Sequence, residues 1–468
     1  MVFASLEFLT LFLPAFLIIY ALVPASWRNA TLLFSSWIFY GWWSPIYLLM
    51  FIFLILVGWV GGMVIERGGH TAARGWALAG FITLNIGTLC WYKYANILVE
   101  TTNTVLVHAG AMPIEWQRVA LPIGLSFIVL QSISYLIDVY RRTVDVDRSF
   151  ISFGAYQSMF VHLIAGPIIR YDWVKRELQS RPFDWSTFSL GARRFMIGIS
   201  MKVLIGDTLA PVVDVAFATS NPSFLDAWIG CLAYSLQLFF DFAGYSAMAI
   251  GLGQMLGFRF PENFNHPYLA ISIQDFWRRW HLSLSSWIRD YLYIPLGGSR
   301  LGEVRTYVNL FLTMAIAGLW HGGDTWNFLL WGMAHGLALC IARAWGRTTF
   351  VQPALWLSRL VTLLFVVMAW TIFRAHSFDQ AMHMYSGQLG MNGFGLGDAL
   401  HVALRPAHML AFTLGIACIV APAMRQRLER RVPMPIQTLF GLWPLFAFLL
   451  SFALIASRGA VPFLYFQF

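Results

Sequence analysis

No charged residue interrupts the 37 positions from Asn29 to Ile65. One bilayer crossing takes about 20 apolar residues, so this run is too long for a single helix and suits two, with a turn at Trp43-Ser44-Pro45. A soluble domain could not bury such a run together with the others like it. Hydrophobic residues make up 59 % of the chain, charged residues 11 %, and the mean hydropathy is +0.66. These values exclude an ordinary soluble fold and define an integral membrane protein. The first apolar segment has neither a basic leading region nor a small-x-small cleavage site, which reads as an anchor rather than a removed signal.

The same patterning predicts an all-α polytopic bundle. Spans are expected near 4–24, 29–43, 46–66, 76–97, 121–140, 191–218, 227–256, 304–322, 325–345, 355–374, 402–421 and 436–456. The stretch 151–169 is interrupted by Gly166-Pro167 and reads as a re-entrant or broken helix. Residues 1–468 form one domain in this reading, with the motif-bearing core at 121–345 and C-terminal helices over 355–456. Most of the 31 Lys and Arg residues fall on one set of loops and helix ends, including Arg278, Arg279, Arg289, Arg300, Arg425, Arg427, Arg430 and Arg431. Basic residues mark the inner face, which places the N-terminus outside. The net charge of +9 is then a matter of topology, and no nucleic-acid partner is expected.

The longest inner segment, 257–303, holds "FWRRWHLSLSSWIRDYLYIPLGG" from Phe276 to Gly298. Its composition is helical up to Tyr293, and it stops at Pro295 and Gly297-Gly298. That helix would put Trp277 with His281, and Trp280 with Leu284, on shared faces. An aromatic and basic anchor at the bilayer boundary explains the arginines as well as a binding role does. For His281, packing and function stand level.

His321 ends one apolar span, followed by Gly322-Gly323 and Asp324. An ionisable residue in or beside a span is a functional candidate, because its cost demands a reason. His335, among Gly332, Ala334 and Gly336, reads as helix packing, and Asp241 as a structural partner for an arginine or a hydroxyl. A neutral imidazole accepts a proton from a hydroxyl at cellular pH. A second polar group would orient the donor or stabilise an oxyanion. Such a pair suits moving an acyl group from a thioester to an alcohol, with no metal. Cys90, Cys231, Cys340 and Cys418 are scattered through apolar stretches and give no zinc spacing, disulfide framework or nucleophile.

"QDFWRRWHLSLSSWIRDYLYIPLGGSR" (Gln274–Arg300), followed by "GLWHG" (Gly318–Gly322), resembles the membrane-bound O-acyltransferase superfamily. The likeness is to its bacterial polysaccharide branch, of the alginate O-acetylation, cellulose-acetylation and teichoic-acid D-alanylation kind. Supporting stretches are "LPIGLSFIVLQSISYLIDVYR" (Leu121–Arg141), "LIAGPIIRY" (Leu163–Tyr171), "LFFDFAGYSAMAIG" (Leu238–Gly251) and "NFNHPYLA" (Asn263–Ala270). The resemblance implies a bundle of about 11–13 transmembrane helices with broken helices and a central tunnel, in the bacterial inner membrane. It implies that His321 is the hallmark catalytic histidine and His281 the second. It also implies that the donor is acetyl-coenzyme A or an acyl-carrier thioester, with no permanently bound cofactor. A periplasmic or membrane-tethered SGNH-type partner would complete transfer within a polysaccharide synthesis and secretion complex. Arg278, Arg279, Arg289 and Arg300 would then attract the donor's phosphates.

Three other readings remain. A proton-coupled transporter or flippase would also bury Asp and His, although no repeat symmetry is visible. A structural scaffold for secretion would tolerate histidine substitution. D-alanyl transfer would require a carrier protein rather than acetyl-coenzyme A.

Overall fold

The computed structural model of the chain describes residues 1–69, 71–163, 166–348, 353–428, 434–459 and 461–464, with side chains described outside 422–440. Arg425, Arg427, Arg430 and Arg431 therefore lie outside the described side chains, and so do residues 164–165 of the expected broken helix. Among the described residues every regular element is helical. The first group is α1 (Leu13–Leu22), α2 (Arg28–Gly41), α3 (Pro45–Arg67), α4 (Ala72–His108), α5 (Leu125–Arg141), α6 (Phe150–Ser158), α7 (Phe160–Leu163) and α8 (Tyr171–Gln179). Then come α9 (Trp185–Ser200), α10 (Asp207–Ala218), α11 (Phe224–Met255), α12 (Ile273–Trp277), α13 (Leu282–Ile288), α14 (Glu303–His321) and α15 (Asn327–Thr348). The last are α16 (Leu355–Arg374), α17 (Phe378–Gln388), α18 (Asp398–Ala403), α19 (Pro406–Leu428) and α20 (Met434–Arg458).

Local chemistry sets several of these boundaries. Ser44 accepts the N–H of Tyr47 and Pro45 opens α3, which together make the turn expected after Trp43. Asp184 starts α9 by accepting from the N–H groups of Ser186 and Thr187 and from both hydroxyls. Those donors, Ser186 first, hold its carboxyl well below the usual carboxylate range. The helices at Pro45–Arg67, Trp185–Ala218, Asn327–Arg347, Leu355–Arg374 and Gly441–Arg458 are long and apolar enough to cross a bilayer, and Phe8–Leu22 and Pro406–Ala421 are shorter apolar helices. The chain is a multi-pass, all-α membrane protein.

Two expectations need correcting. α4 runs well past residue 97, because its polar end is held by side-chain bonds rather than by lipid. Asn103 Oδ1 accepts the N–H of Ile114 at 2.6 Å, while Asn103 Nδ2 donates to the Ile114 carbonyl at 3.0 Å. The helix expected up to Tyr293 is not continuous. It breaks between α12 and α13, and Arg289–Tyr293 continues as a π-helical turn. Between the expected spans that end at 374 and begin at 402, the chain forms α17 and the start of α18.

The fold divides into two compact units, residues 1–195 with 249–261, and residues 196–248 with 262–468. In the first, α3 lies against α5 through small residues. A β-carbon at Gly61 would come within 2.8 Å of Leu136, and one at Gly62 equally close to Tyr135. The broken stretch of the sequence reading is α6 followed by α7, and His162 of α7 bonds Gln131 at 3.0 Å.

In the second unit α14 and α15 form the closest hairpin. The Cα of Gly332 would stand 2.7 Å from a β-carbon at Gly318, and the Phe328 carbonyl would stand closer still. Glycine at both positions lets the helices touch backbone to backbone. That contact fixes the end of α14, where His321 sits.

Candidate active site

His281 stands at the break between α12 and α13. Its φ of +45° lies in the left-handed region that a non-glycine side chain rarely adopts. Asn263 makes this turn hold. Its Oδ1 accepts the Ser283 N–H at 3.2 Å and the Ser283 hydroxyl at 2.9 Å, while its backbone carbonyl accepts the Leu282 N–H at 2.9 Å. A backbone N–H only donates, so these bonds fix which atom of the Asn263 amide is the oxygen. The same oxygen lies 3.2 Å from His281 Nδ1, which must then carry the proton. His281 Nε2 is left with its lone pair. The side chain is fully buried, and Nε2 meets no protein partner among the described residues. The network thus sets the tautomer of the imidazole and strains the backbone that carries it. Trp277 and His281 do not share a helix face as expected, because the left-handed turn separates them.

His321 is the last residue of α14 and is buried. Its ring packs against Trp320 (4.9 Å between centroids), Trp331 (5.3 Å, nearly perpendicular) and Phe373 (5.7 Å). The following residue has to be glycine, because a β-carbon at Gly322 would overlap the ring of Phe328. The sequence "GLWHG" is therefore one packed corner: Gly318 admits α15, and Gly322 admits Phe328. His335 lies one turn beyond Trp331 on α15, with its ring 4.7 Å from that indole. It accepts the Trp277 indole N–H at Nδ1, 3.3 Å away, so Nε2 carries its proton. The packing expected of His335 is made by its neighbours Gly332 and Gly336 against α14, and His335 itself bonds into the aromatic cluster.

The two catalytic candidates belong to one unit and are joined by rings. From His281 the contacts run through Phe242 (4.7 Å), Phe264 (5.0 Å), Trp280 (5.1 Å), Trp370 (5.1 Å) and Trp331 (5.7 Å) to His321. Of the tryptophans that the sequence suggested as membrane anchors, Trp280 and Trp287 are core residues and Trp277 is half-buried.

The four cationic candidates differ. Arg279 pairs with Asp275 at 2.8 Å and Arg289 with Asp290 at 2.7 Å. Arg278 and Arg300 are exposed and hold no ion pair among the described residues. Asp241 has a lysine partner rather than the expected arginine or hydroxyl. Lys202, fully buried in the π-helical turn Met201–Gly206, lies 3.2 Å from Asp241 and 2.5 Å from Asp207. Sequence reasoning missed Lys202 and Asn263. Asn263 was quoted only as part of a motif, and no spacing rule ties it to residue 281. Lys202 stood in an apolar span, where its charge was itself the available signal.

A buried imidazole of fixed tautomer, a second buried histidine at a helix end and an aromatic surround are chemistry that can serve an acyl transfer. Residues 114–384 match the membrane-bound O-acyltransferase family, and the chain belongs to that family and is an O-acyltransferase. It is 42 % identical over 490 residues to the probable alginate O-acetylase AlgI of Pseudomonas putida, covering the whole of both chains. It is 34 % identical over 427 residues to the peptidoglycan O-acetyltransferase of Helicobacter pylori, covering 83 % of this chain and 80 % of that one. It is 28 % identical over 272 residues to the teichoic acid D-alanyltransferase of Streptococcus thermophilus, covering 55 % and 65 %.

Proposed function

We propose that this enzyme takes an acetyl group from a cytoplasmic thioester, acetyl-coenzyme A, and passes it across the bacterial inner membrane for O-acetylation of an exported polysaccharide of the alginate kind. The full-length similarity to an alginate O-acetylase carries this reading. The burial of His321 and His281 in one aromatic cluster supports it. His321 acts as general base and takes the proton of the acceptor hydroxyl. The hydroxyl oxygen attacks the thioester carbonyl, the tetrahedral intermediate collapses, and the C–S bond breaks. The leaving thiolate then receives the proton from His321. His281, with its free lone pair at Nε2, accepts an amide N–H or hydroxyl of a substrate and fixes its pose. Arg278 and Arg300 draw the donor's phosphates, and Arg279 and Arg289 do so only by exchanging their carboxylate partners. An SGNH-type partner outside the membrane completes delivery to the polymer, within the synthesis and secretion complex.

The test is the ester-linked acetyl content of polysaccharide exported by a deletion strain. The strain is complemented with wild type, His321→Ala or His281→Ala at equal membrane abundance. Loss of acetyl ester with polymer yield unchanged is the expected result. Normal acetylation with His321→Ala would overturn the assignment of the base, and loss of polymer itself would favour a carrier or scaffold. The more distant similarity to a D-alanyltransferase motivates one control: activity that requires an acyl-carrier protein instead of acetyl-coenzyme A would move the donor to that class.

A further inference from the structure

Asp241 and Phe242 are adjacent on α11 and serve two neighbours. The Asp241 carboxylate lies 3.2 Å from Lys202 Nζ and accepts the backbone N–H of Leu464 at 2.8 Å. The Phe242 ring stands edge-on to His281, with centroids 4.7 Å apart and planes at 89°, and 5.7 Å from the ring of Phe463. Phe463 is fully buried and also packs on Tyr245 at 4.4 Å. Just before this segment, Arg458 at the end of α20 reaches Thr208 of α10 at 3.5 Å. Segment 461–464 is thus tied to the interior by a charge-assisted hydrogen bond and a buried ring, far beyond what an idle strand on a membrane protein needs.

We infer that segment 461–464 is a positioning strap for His281, in which Phe463 wedges Phe242 against the imidazole and the Leu464–Asp241 bond locks the wedge to the Lys202 network. The inference rests on the catalytic reading of His281. Asn263 holds the imidazole at one nitrogen only, and a ring tethered at one point still rotates. The perpendicular Phe242 ring removes that freedom, and Phe463 removes the freedom of Phe242. A reacting group displaced by about 1 Å loses up to roughly 100-fold in rate, so the wedge has a kinetic consequence.

The experiment uses the full chain in lipid nanodiscs. Acetyl transfer from acetyl-coenzyme A is measured for wild type, Phe463→Ala, Phe463→Leu and His281→Gln, with thermal unfolding alongside. Phe463→Ala is expected to lower kcat roughly tenfold with KM for the thioester within about twofold. Phe463→Leu, which keeps most of the apolar volume and folds more readily, is expected to fall between it and wild type. On the residual activity of His281→Gln, adding Phe463→Ala is expected to cost little more. Wild-type kcat in Phe463→Ala, beside a crippled His281→Gln, would overturn the strap alone. An equal loss in both backgrounds would overturn it as well, since the wedge would then act elsewhere. Full activity in His281→Gln would instead overturn the catalytic reading of His281 on which the strap depends.

Discussion

Replacing Asn263 by alanine removes the one acceptor that three donors share. Asn263 is buried, and its Oδ1 is shared by His281 Nδ1–H, the Ser283 N–H and the Ser283 hydroxyl. The hydroxyl can turn elsewhere and the His281 proton can move to Nε2, but the Ser283 N–H cannot. A buried donor left unpaired costs about 1–3 kcal/mol, so Asn263→Ala is expected to lower stability by about that much. Activity should fall further than stability explains, because the proton of His281 is no longer held at Nδ1 and the lone pair is no longer fixed at Nε2. Loss of an outer partner that orients a functional histidine typically costs roughly 10–100-fold. Asn263→Asp separates the two effects. Its carboxylate keeps the acceptor and the tautomer, and it favours the imidazolium, so the His281 pKa rises. The protonated form then persists to higher pH, and the acid limb of the rate profile moves upward in pH. The assay is transfer of labelled acetyl from acetyl-coenzyme A in membrane vesicles, across pH, with thermal unfolding of the purified chain. Wild-type kcat and an unchanged melting temperature in Asn263→Ala would refute the argument.

Other substitutions probe other parts of the account. Lys202→Met leaves Asp207 and Asp241 buried without their cation and is expected to destabilise the chain by about 3–5 kcal/mol, read as denaturant sensitivity in detergent. A loss below about 1 kcal/mol would show that water already solvates the pair. Gly318→Leu should prevent the α14–α15 hairpin from closing and abolish the monodisperse peak on size exclusion; a folded, active protein would contradict the backbone contact drawn between these helices. The double variant Arg278→Ala/Arg300→Ala is expected to raise KM for the thioester severalfold, and the difference from wild type should shrink as salt rises. An equal effect at all ionic strengths would assign these arginines a packing role.

Hydropathy made the helices legible because lipid demands long apolar runs with internal hydrogen bonding, and the windows at 46–66 and 355–374 lie within a residue of α3 and α16. It failed where polar side chains rather than lipid decide the backbone. Composition alone made the stretch up to Tyr293 look helical, yet Asn263 supplies hydrogen bonds that stabilise a left-handed turn at His281. Helical periodicity has no means of seeing a partner 18 residues away. The α4 extension beyond residue 97 escaped for the same reason. The candidate histidines stood out as ionisable groups in an apolar chain, and the superfamily likeness added their roles. What neither supplied was His281's tautomer, the indole bond to His335, or the buried Lys202. The first two depend on contacts between residues far apart in the chain, and Lys202, whose charge was visible, has a partner in Asp241 39 residues on.

The most direct test of the central claim, acyl transfer through His321, is a single-turnover measurement on the purified chain in nanodiscs. It follows release of free coenzyme A thiol together with ester formation on a supplied hydroxyl acceptor. Wild type should release thiol and form ester in equal amounts, while His321→Ala retains the ability to bind acetyl-coenzyme A and loses both products by several orders of magnitude. Equal turnover by wild type and His321→Ala would contradict the account.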